Sequence, residues 1–155
     1  SITEFNYRYN DPKAAHIFVG VQTGADEKVG RLAATLRRHG YPVLDMTDNE
    51  MAKLHIRHLV GGRAPNAVNE ILYRIEFPER PGALMDFLNR MGGTWNISLF
   101  HYRSHGADFG RVLVGMQVPA KDKRKFQAFL KSLGYEYVEE TGNPAYRLFL
   151  SQGGK

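Results

Sequence analysis

Cysteine is absent from the 155 residues, so disulfide scaffolds, thiol nucleophiles and cysteine-ligated zinc are all excluded. No apolar run approaches the ~18–20 residues of a membrane-spanning helix, and Ser1-Ile2-Thr3 opens no signal peptide. The chain also lacks His-Glu-x-x-His, a glycine loop ending in Gly-Lys-Ser/Thr, and a nucleophile elbow, and with them the commonest marks of hydrolysis and phosphate binding. A large excess of one charge is missing too. The balance of 21 basic and 16 acidic side chains leaves +5, compatible with nucleic acid but too small to require it. What remains is ordinary for a globular chain, 43% hydrophobic and 24% charged, which excludes disordered and fibrous classes. The expected setting is a reducing, soluble compartment, the cytoplasm.

The sequence repeats itself. Shifted by 95 positions, Ser1-Ile2-Thr3-Glu4-Phe5-Asn6-Tyr7-Arg8 lies over Asn96-Ile97-Ser98-Leu99-Phe100-His101-Tyr102-Arg103. His16-Ile17-Phe18-Val19-Gly20-Val21-Gln22 lies over Arg111-Val112-Leu113-Val114-Gly115-Met116-Gln117. After one residue of slack the shift becomes 94, matching Leu36–Tyr41 to Leu130–Tyr135, and Thr47-Asp48-Asn49 to Thr141-Gly142-Asn143. Only the second copy carries Ile71–Gly93. The first copy is therefore expected to begin in mid-unit, its missing strand and helix lying upstream or supplied by a neighbouring chain.

Periodicity supplies the elements. Ile71, Tyr73, Ile75 and Phe77 alternate as in a strand that ends at Pro78. Leu84, Phe87, Leu88 and Met91 recur as a helix stripe that stops at Gly92-Gly93. Trp95–Arg103 and Arg111–Val118 read as strands, Phe126, Phe129, Leu130 and Leu133 as a second helix, and Tyr135–Glu139 as a closing strand. Tyr146–Leu150 is a further strand candidate. The order is β-α-β-β-α-β, a ferredoxin-like unit in the α+β class. In the first copy, strands at Ile2–Tyr9 and Ala15–Gln22 precede a helix with Val29, Leu32, Ala33 and Leu36. Strands at Tyr41–Met46 and His55–Val60 are expected after it. The Gly/Pro/Asn cluster Gly61–Asn66 marks the boundary. We expect subdomains at 1–62 and 71–155, joined by a linker at 63–70 and packed together, because units this small are marginal alone.

Pro81, Gly82, Ala83 and Leu84 start the helix of copy two, where proline costs no donor and glycine lets a ligand approach the backbone. Free N–H groups and the positive dipole end favour a carboxylate there. Asn96 and Ile97 on the following strand offer an amide for an amino-acid head group. The loop thus suits a small zwitterion with an apolar side chain, or is simply a helix start. Tyr7 and Tyr102 occupy matched positions and either cover an apolar ligand or sit at a sheet rim. Arg8 and Arg103 fall on the opposite strand face, as interface or surface charges. His55 and His58 would point to opposite faces of a strand, and His101 and His105 lack a third ligand, so no metal site is expected. Lys121-Asp122-Lys123-Arg124-Lys125 reads as a solvated helix start with Asp122 as a potential N-cap. An RNA-binding module shares the β-α-β-β-α-β order, but Phe109-Gly110-Arg111-Val112-Leu113-Val114 departs from its aromatic signature. No catalytic constellation is expected in this chain.

Several stretches resemble one family: Glu4-Phe5-Asn6-Tyr7-Arg8-Tyr9, Asp48–His55, Trp95–Gly106 and Asn143–Leu150. They resemble the C-terminal regulatory region of biosynthetic threonine deaminases (threonine dehydratases). The resemblance implies two ACT-like subdomains that bind isoleucine as inhibitor, with valine opposing it. It implies a parent homotetramer whose separate catalytic domain is a pyridoxal-phosphate lyase converting threonine to 2-oxobutanoate and ammonia. Tyr7 and Tyr102 match effector-contacting tyrosines of that family. Leu84, Leu88 and Met91 match helix positions tied to feedback control, Met91 replacing a leucine of some relatives. Nothing here matches the cofactor lysine, so this chain is expected to bind no pyridoxal phosphate. Isoleucine, valine and the catalytic domain are the expected partners, with neither nucleic acid nor membrane.

Overall fold

Alternating apolar residues set the strands, and the computed structural model joins them into one six-stranded antiparallel sheet; it describes residues 1–24, 26–104, 106 and 108–152. The second copy is a complete unit: Glu70–Pro78 (β3), Ala83–Met91 (α3), Asn96–Arg103 (β4), Phe109–Gln117 (β5), Lys123–Leu133 (α4) and Tyr137–Glu139 (β6). Its strands run in the ferredoxin-like order β4-β5-β3-β6. The first copy adds Ile2–Arg8 (β1) to the free edge of β4 and Ile17–Val21 (β2) beyond it, followed by the helix Asp26–Arg38 (α1). The fold is α+β, two ferredoxin-like units sharing a sheet.

Helices α3 and α4 cover one face. Phe87 is fully buried, its ring 5.2 Å from Phe77 and 5.8 Å from Phe129, while Trp95 meets Phe126 edge-on at 5.1 Å. Each such aromatic contributes about 1.5–3 kcal/mol through burial alone. Glycine ends both helices: Gly92 (φ 59°) after α3 and Gly134 (φ 70°) after α4 sit in the left-handed region, as a C-cap demands.

The two copies meet through a ladder that obeys the repeat. Glu4 pairs with Arg103, Phe5 with Tyr102, Asn6 with His101, Tyr7 with Phe100 and Arg8 with Leu99. Because Phe5 corresponds to Phe100, Asn6 to His101 and Tyr7 to Tyr102, exchanging the copies reproduces the pairing. A pseudo-two-fold axis therefore passes through the Asn6·His101 pair, the geometry of an isologous dimer interface inside one chain.

Three expected strands are absent. Tyr41–Met46 is irregular: its counterpart β6 pairs with β3, and the first copy holds no strand equivalent to β3. His55–Val60 is not a strand either; Glu50–Leu54 (α2) precedes it and Ile56–His58 forms a single 3-10 turn. Tyr146–Leu150 belongs instead to the helix Pro144–Phe149 (α5). The repeat explains both helices. Asn49 and Asn143 are matched residues, and each caps its helix by accepting from the N–H of Ala52 or Ala145 at 2.9 Å. Asp122 makes no side-chain cap bond.

Matched apolar positions differ in exposure. Leu130 is buried whereas its counterpart Leu36 is 38% exposed. Leu130→Ala should therefore lower unfolding free energy by ~2–5 kcal/mol. Leu36→Ala should cost no more than about 1 kcal/mol, and urea unfolding of the two variants checks the contrast.

Candidate effector site at the pseudo-two-fold ladder

Strand alternation sends Phe5, Tyr7, Phe100 and Tyr102 to the helix-bearing face, where Phe100 is buried and the other three are half-buried against the core margin. Phe5 and Phe100 meet edge-to-face at 5.5 Å and 85°. The register makes these four a symmetric aromatic floor, with a tyrosine hydroxyl contributed by each copy. Leu84 and Leu88, one helical turn apart on α3, are half-buried against the same core, as is Ile97, which stands opposite Met116 toward the other end of β4. Half-burial leaves apolar surface for a ligand without opening the core.

Polar groups gather at one end of this floor. The Tyr102 hydroxyl donates to both Glu79 carboxylate oxygens at 3.0 Å. Burial, then the hydrogen bond and charge of Glu79, push the Tyr102 phenol up to about 12. Tyr7 is also raised, by burial and then by Tyr9. Glu79 is fixed by its own N–H, which donates to the Asp108 carbonyl at 2.8 Å. Glycine at 110 is required for this contact: a Cβ there would fall 2.5 Å from the Tyr102 ring and 2.7 Å from the Glu79 carboxylate. Pro81 and Gly82 (φ 86°) then turn the chain into α3, whose first turn has no side-chain cap. The Ala83 N–H is already used by the Arg80 carbonyl at 3.3 Å.

The structure brings Tyr102, Pro81, Gly82, Ala83 and Leu84 to one end and Tyr7 onto the same face. It does not bring Asn96 there. Strand β4 places Asn96 opposite Gln117 at its far end, where the side-chain amide donates to Gln117 Oε1 at 2.6 Å. Met91 lies at the far end of α3, about 12 Å along the helix axis from Ala83, and is buried in the core. Ala83 is buried as well. Glu79 opens the same loop, Glu79–Leu84, and its pairing with Tyr102 is what the sequence pattern does not show. Arg8 and Arg103 do take the other face. Arg8 is buried against Glu70, and Arg103 meets His58 Nδ1 at 2.8 Å. His105 lies outside the described residues. Among the described residues no three His, Asp or Glu side chains gather to hold a metal ion.

A phenol whose folded pKa exceeds its ordinary value of 10 stabilises the fold fully below pH 10. That contribution is lost as pH rises through 12. Burial raises Tyr73 to about 12 as well, so alkaline ultraviolet titration should show more than one tyrosine ionising near pH 12, and one of these should disappear in Tyr102→Phe. In Glu79→Gln the same tyrosine should titrate closer to 10.

The comparisons with known proteins agree. The family model for the C-terminal regulatory domain of threonine dehydratase matches residues 1–56 and 61–150. The chain is 57% identical over 151 residues to the biosynthetic L-threonine dehydratase IlvA of Burkholderia multivorans, covering 97% of this chain and 30% of that protein. It is 52% identical over 153 residues to IlvA of Escherichia coli, covering 97% and 29%. The mitochondrial threonine dehydratase of Saccharomyces cerevisiae is 46% identical over 160 residues, covering 97% and 27%. The chain thus spans less than a third of the length of these relatives. It belongs to the family of C-terminal regulatory domains of threonine dehydratase.

Proposed function

We propose that this chain senses a branched aliphatic amino acid, isoleucine as inhibitor with valine opposing it, at the helix-facing floor of the β1·β4 ladder. The observation that carries the reading is the Tyr102–Glu79 pair beside half-buried Leu84 and Leu88, at the junction of the two units. Glu79 would accept the effector's ammonium, the first turn of α3 its carboxylate, and Tyr7, Leu84 and Leu88 its side chain, whereas Ile97 lies too far along β4 to reach it. Regulation then needs only that one arrangement of the paired units binds the effector better than the other.

The reacting centre lies in the catalytic part of the parent enzyme, a homotetrameric lyase that turns threonine into 2-oxobutanoate and ammonia. Pyridoxal phosphate supplies the electron sink there. It does not fit the residues of this chain, because each described lysine is exposed and none stands in a pocket to carry a Schiff base. The RNA-binding alternative has no support. The open face that such a module would use is covered here by α5 and the linker, over Leu72, Leu99 and the Arg8–Glu70 pair. No helix of the described residues is long and apolar enough to cross a membrane. We place the bacterial form in the cytoplasm, whereas the yeast relative is mitochondrial by name.

The subdomain bounds 1–62 and 71–155, with linker 63–70, follow the repeat. Ile17, Val19 and Val21 are 51%, 42% and 40% exposed, while their counterparts Val112, Val114 and Met116, on a strand flanked by β3, are buried in the core with α3 and α4. A strand and helix like β3 and α3 therefore completes the first unit.

Calorimetry on the full-length enzyme should show heat with isoleucine. Tyr102→Phe or Glu79→Gln should weaken that binding by roughly tenfold or more, as expected for a lost hydrogen bond to a charged group. No heat from isoleucine or valine with folded protein would refute the reading.

A further inference from the structure

The face of the sheet opposite α3 and α4 carries an apolar groove that the effector site does not use. Val60, Leu72, Leu113, Tyr146, Phe149 and Leu150 form the apolar lining of a cavity of about 380 Å³ between the sheet and α5, with Arg74, its partner Glu140 and Asn143 along one side. The apolar surface continues past the groove. Phe149 is 70% exposed and Leu148 63%, at the end of α5, and Leu59 is 54% exposed beside Val60. A contiguous apolar surface with its largest ring turned outward marks an interaction site.

Basic groups edge it. Arg63 is exposed and donates to the Leu148 carbonyl at 2.8 Å, Arg147 is exposed on α5, and Arg74 stays 51% exposed although it pairs with Glu140 at 3.1 Å. An occupant must therefore bring apolar side chains flanked by carboxylates. The relatives carry about 70% of their length outside the matched region, ample chain to supply such a segment.

We infer that this groove is the docking surface for the catalytic part of the same polypeptide, which seats an apolar, acid-edged segment over Phe149. The inference rests on the regulatory reading above, and adds where the signal leaves the domain. Tyr146 gives the surface a mechanical link inward. Its hydroxyl donates to Glu70 at 2.8 Å, and Glu70 also holds Arg8 of the first unit. A shift between the two units is thereby passed to α5 and to whatever is seated on it.

Hydroxyl-radical footprinting of the full-length enzyme tests the contact without effector. Phe149 should be labelled several-fold more slowly than in the unfolded enzyme; labelling at the rate of a fully exposed ring would overturn the inference. In the enzyme carrying Phe149→Asp, isoleucine should still bind as in wild type, while the concentration needed for inhibition rises by about tenfold or more. Phe149→Ala should show the same direction if the aspartate prevents folding. Unchanged inhibition in both variants would overturn the inference. So would dissociation of the assembly by Phe149→Asp, which would give the surface to a second copy of the chain. Failure of the wild-type enzyme to bind isoleucine would strike the effector reading alone, because footprinting still decides the docking surface.

Discussion

The Arg8–Glu70 ion pair holds the arrangement together. Both side chains are nearly inaccessible, at 8% and 5% exposure, on the sheet face opposite the aromatic floor. Arg8 comes from the first unit and Glu70 from the second. Arg8 Nε donates to the Gly62 carbonyl at 2.8 Å, and its terminal nitrogens reach the carbonyls of Ser98 at 3.2 Å and Leu150 at 2.9 Å. Glu70 accepts in addition from Ser98 Oγ and the Tyr146 hydroxyl. Burying two charges is costly, but here each lone pair and donor finds a partner. Removing one member would leave the other stranded, typically at about 3–5 kcal/mol. Even the end of the first unit is shaped to the pair: at Gly61 (φ +97°) a Cβ would fall 2.7 Å from that of Arg8.

This pair and the aromatic floor lie on opposite faces of the same ladder, so the two are mechanically continuous. Side chains at successive positions of β1 alternate between them: Phe5 and Tyr7 face the helices, while on the other face Glu4 meets Arg57 and Arg8 meets the carbonyls of Gly62 and Leu150. Pseudo-symmetry makes the contacts reciprocal. Arg8 of the first unit reaches the closing segment of the second at Leu150, and Arg103 of the second reaches the closing segment of the first at His58. An effector that tilts β1 against β4 changes the floor and these ties together. A two-state response requires such a joint change, since tight packing does not deform continuously.

Much of this was legible before any coordinates. The repeat located the matched tyrosines, and periodicity gave β3, α3, β4, β5 and α4 with the correct buried faces, Phe87 and Leu130 among them. The misses share a cause. Tyr41–Met46 has strand-like composition, but a strand needs a neighbour, and β3, the neighbour of the matching β6, has no counterpart in the first copy; the repeat shows that gap, but the local composition does not register it. Tyr146–Leu150 looked extended by its aromatic and aliphatic content, although Asn143-Pro144 is a helix start by capping and by proline's fixed φ. At the site, Asn96 was placed beside the loop because it is close in sequence to α3. Helix α3 carries the chain back along the sheet, so β4, parallel to β3, starts with Asn96 at the end opposite the loop. The contact of Glu79 with Tyr102 beside Gly110 is not legible in the pattern, because it arises only when β3 and β5 pair, at Pro78 and Phe109.

The most direct test follows the two matched tyrosines in solution. Nuclear magnetic resonance of the full-length enzyme with labelled tyrosine rings, assigned by Tyr7→Phe and Tyr102→Phe, can be read during titration with isoleucine. The Tyr102 and Tyr7 signals should both move along one saturable binding curve, while Tyr41, far along the irregular segment, stays in place. Saturation with isoleucine that leaves both matched tyrosines unshifted would contradict the placement of the effector at the junction of the two units.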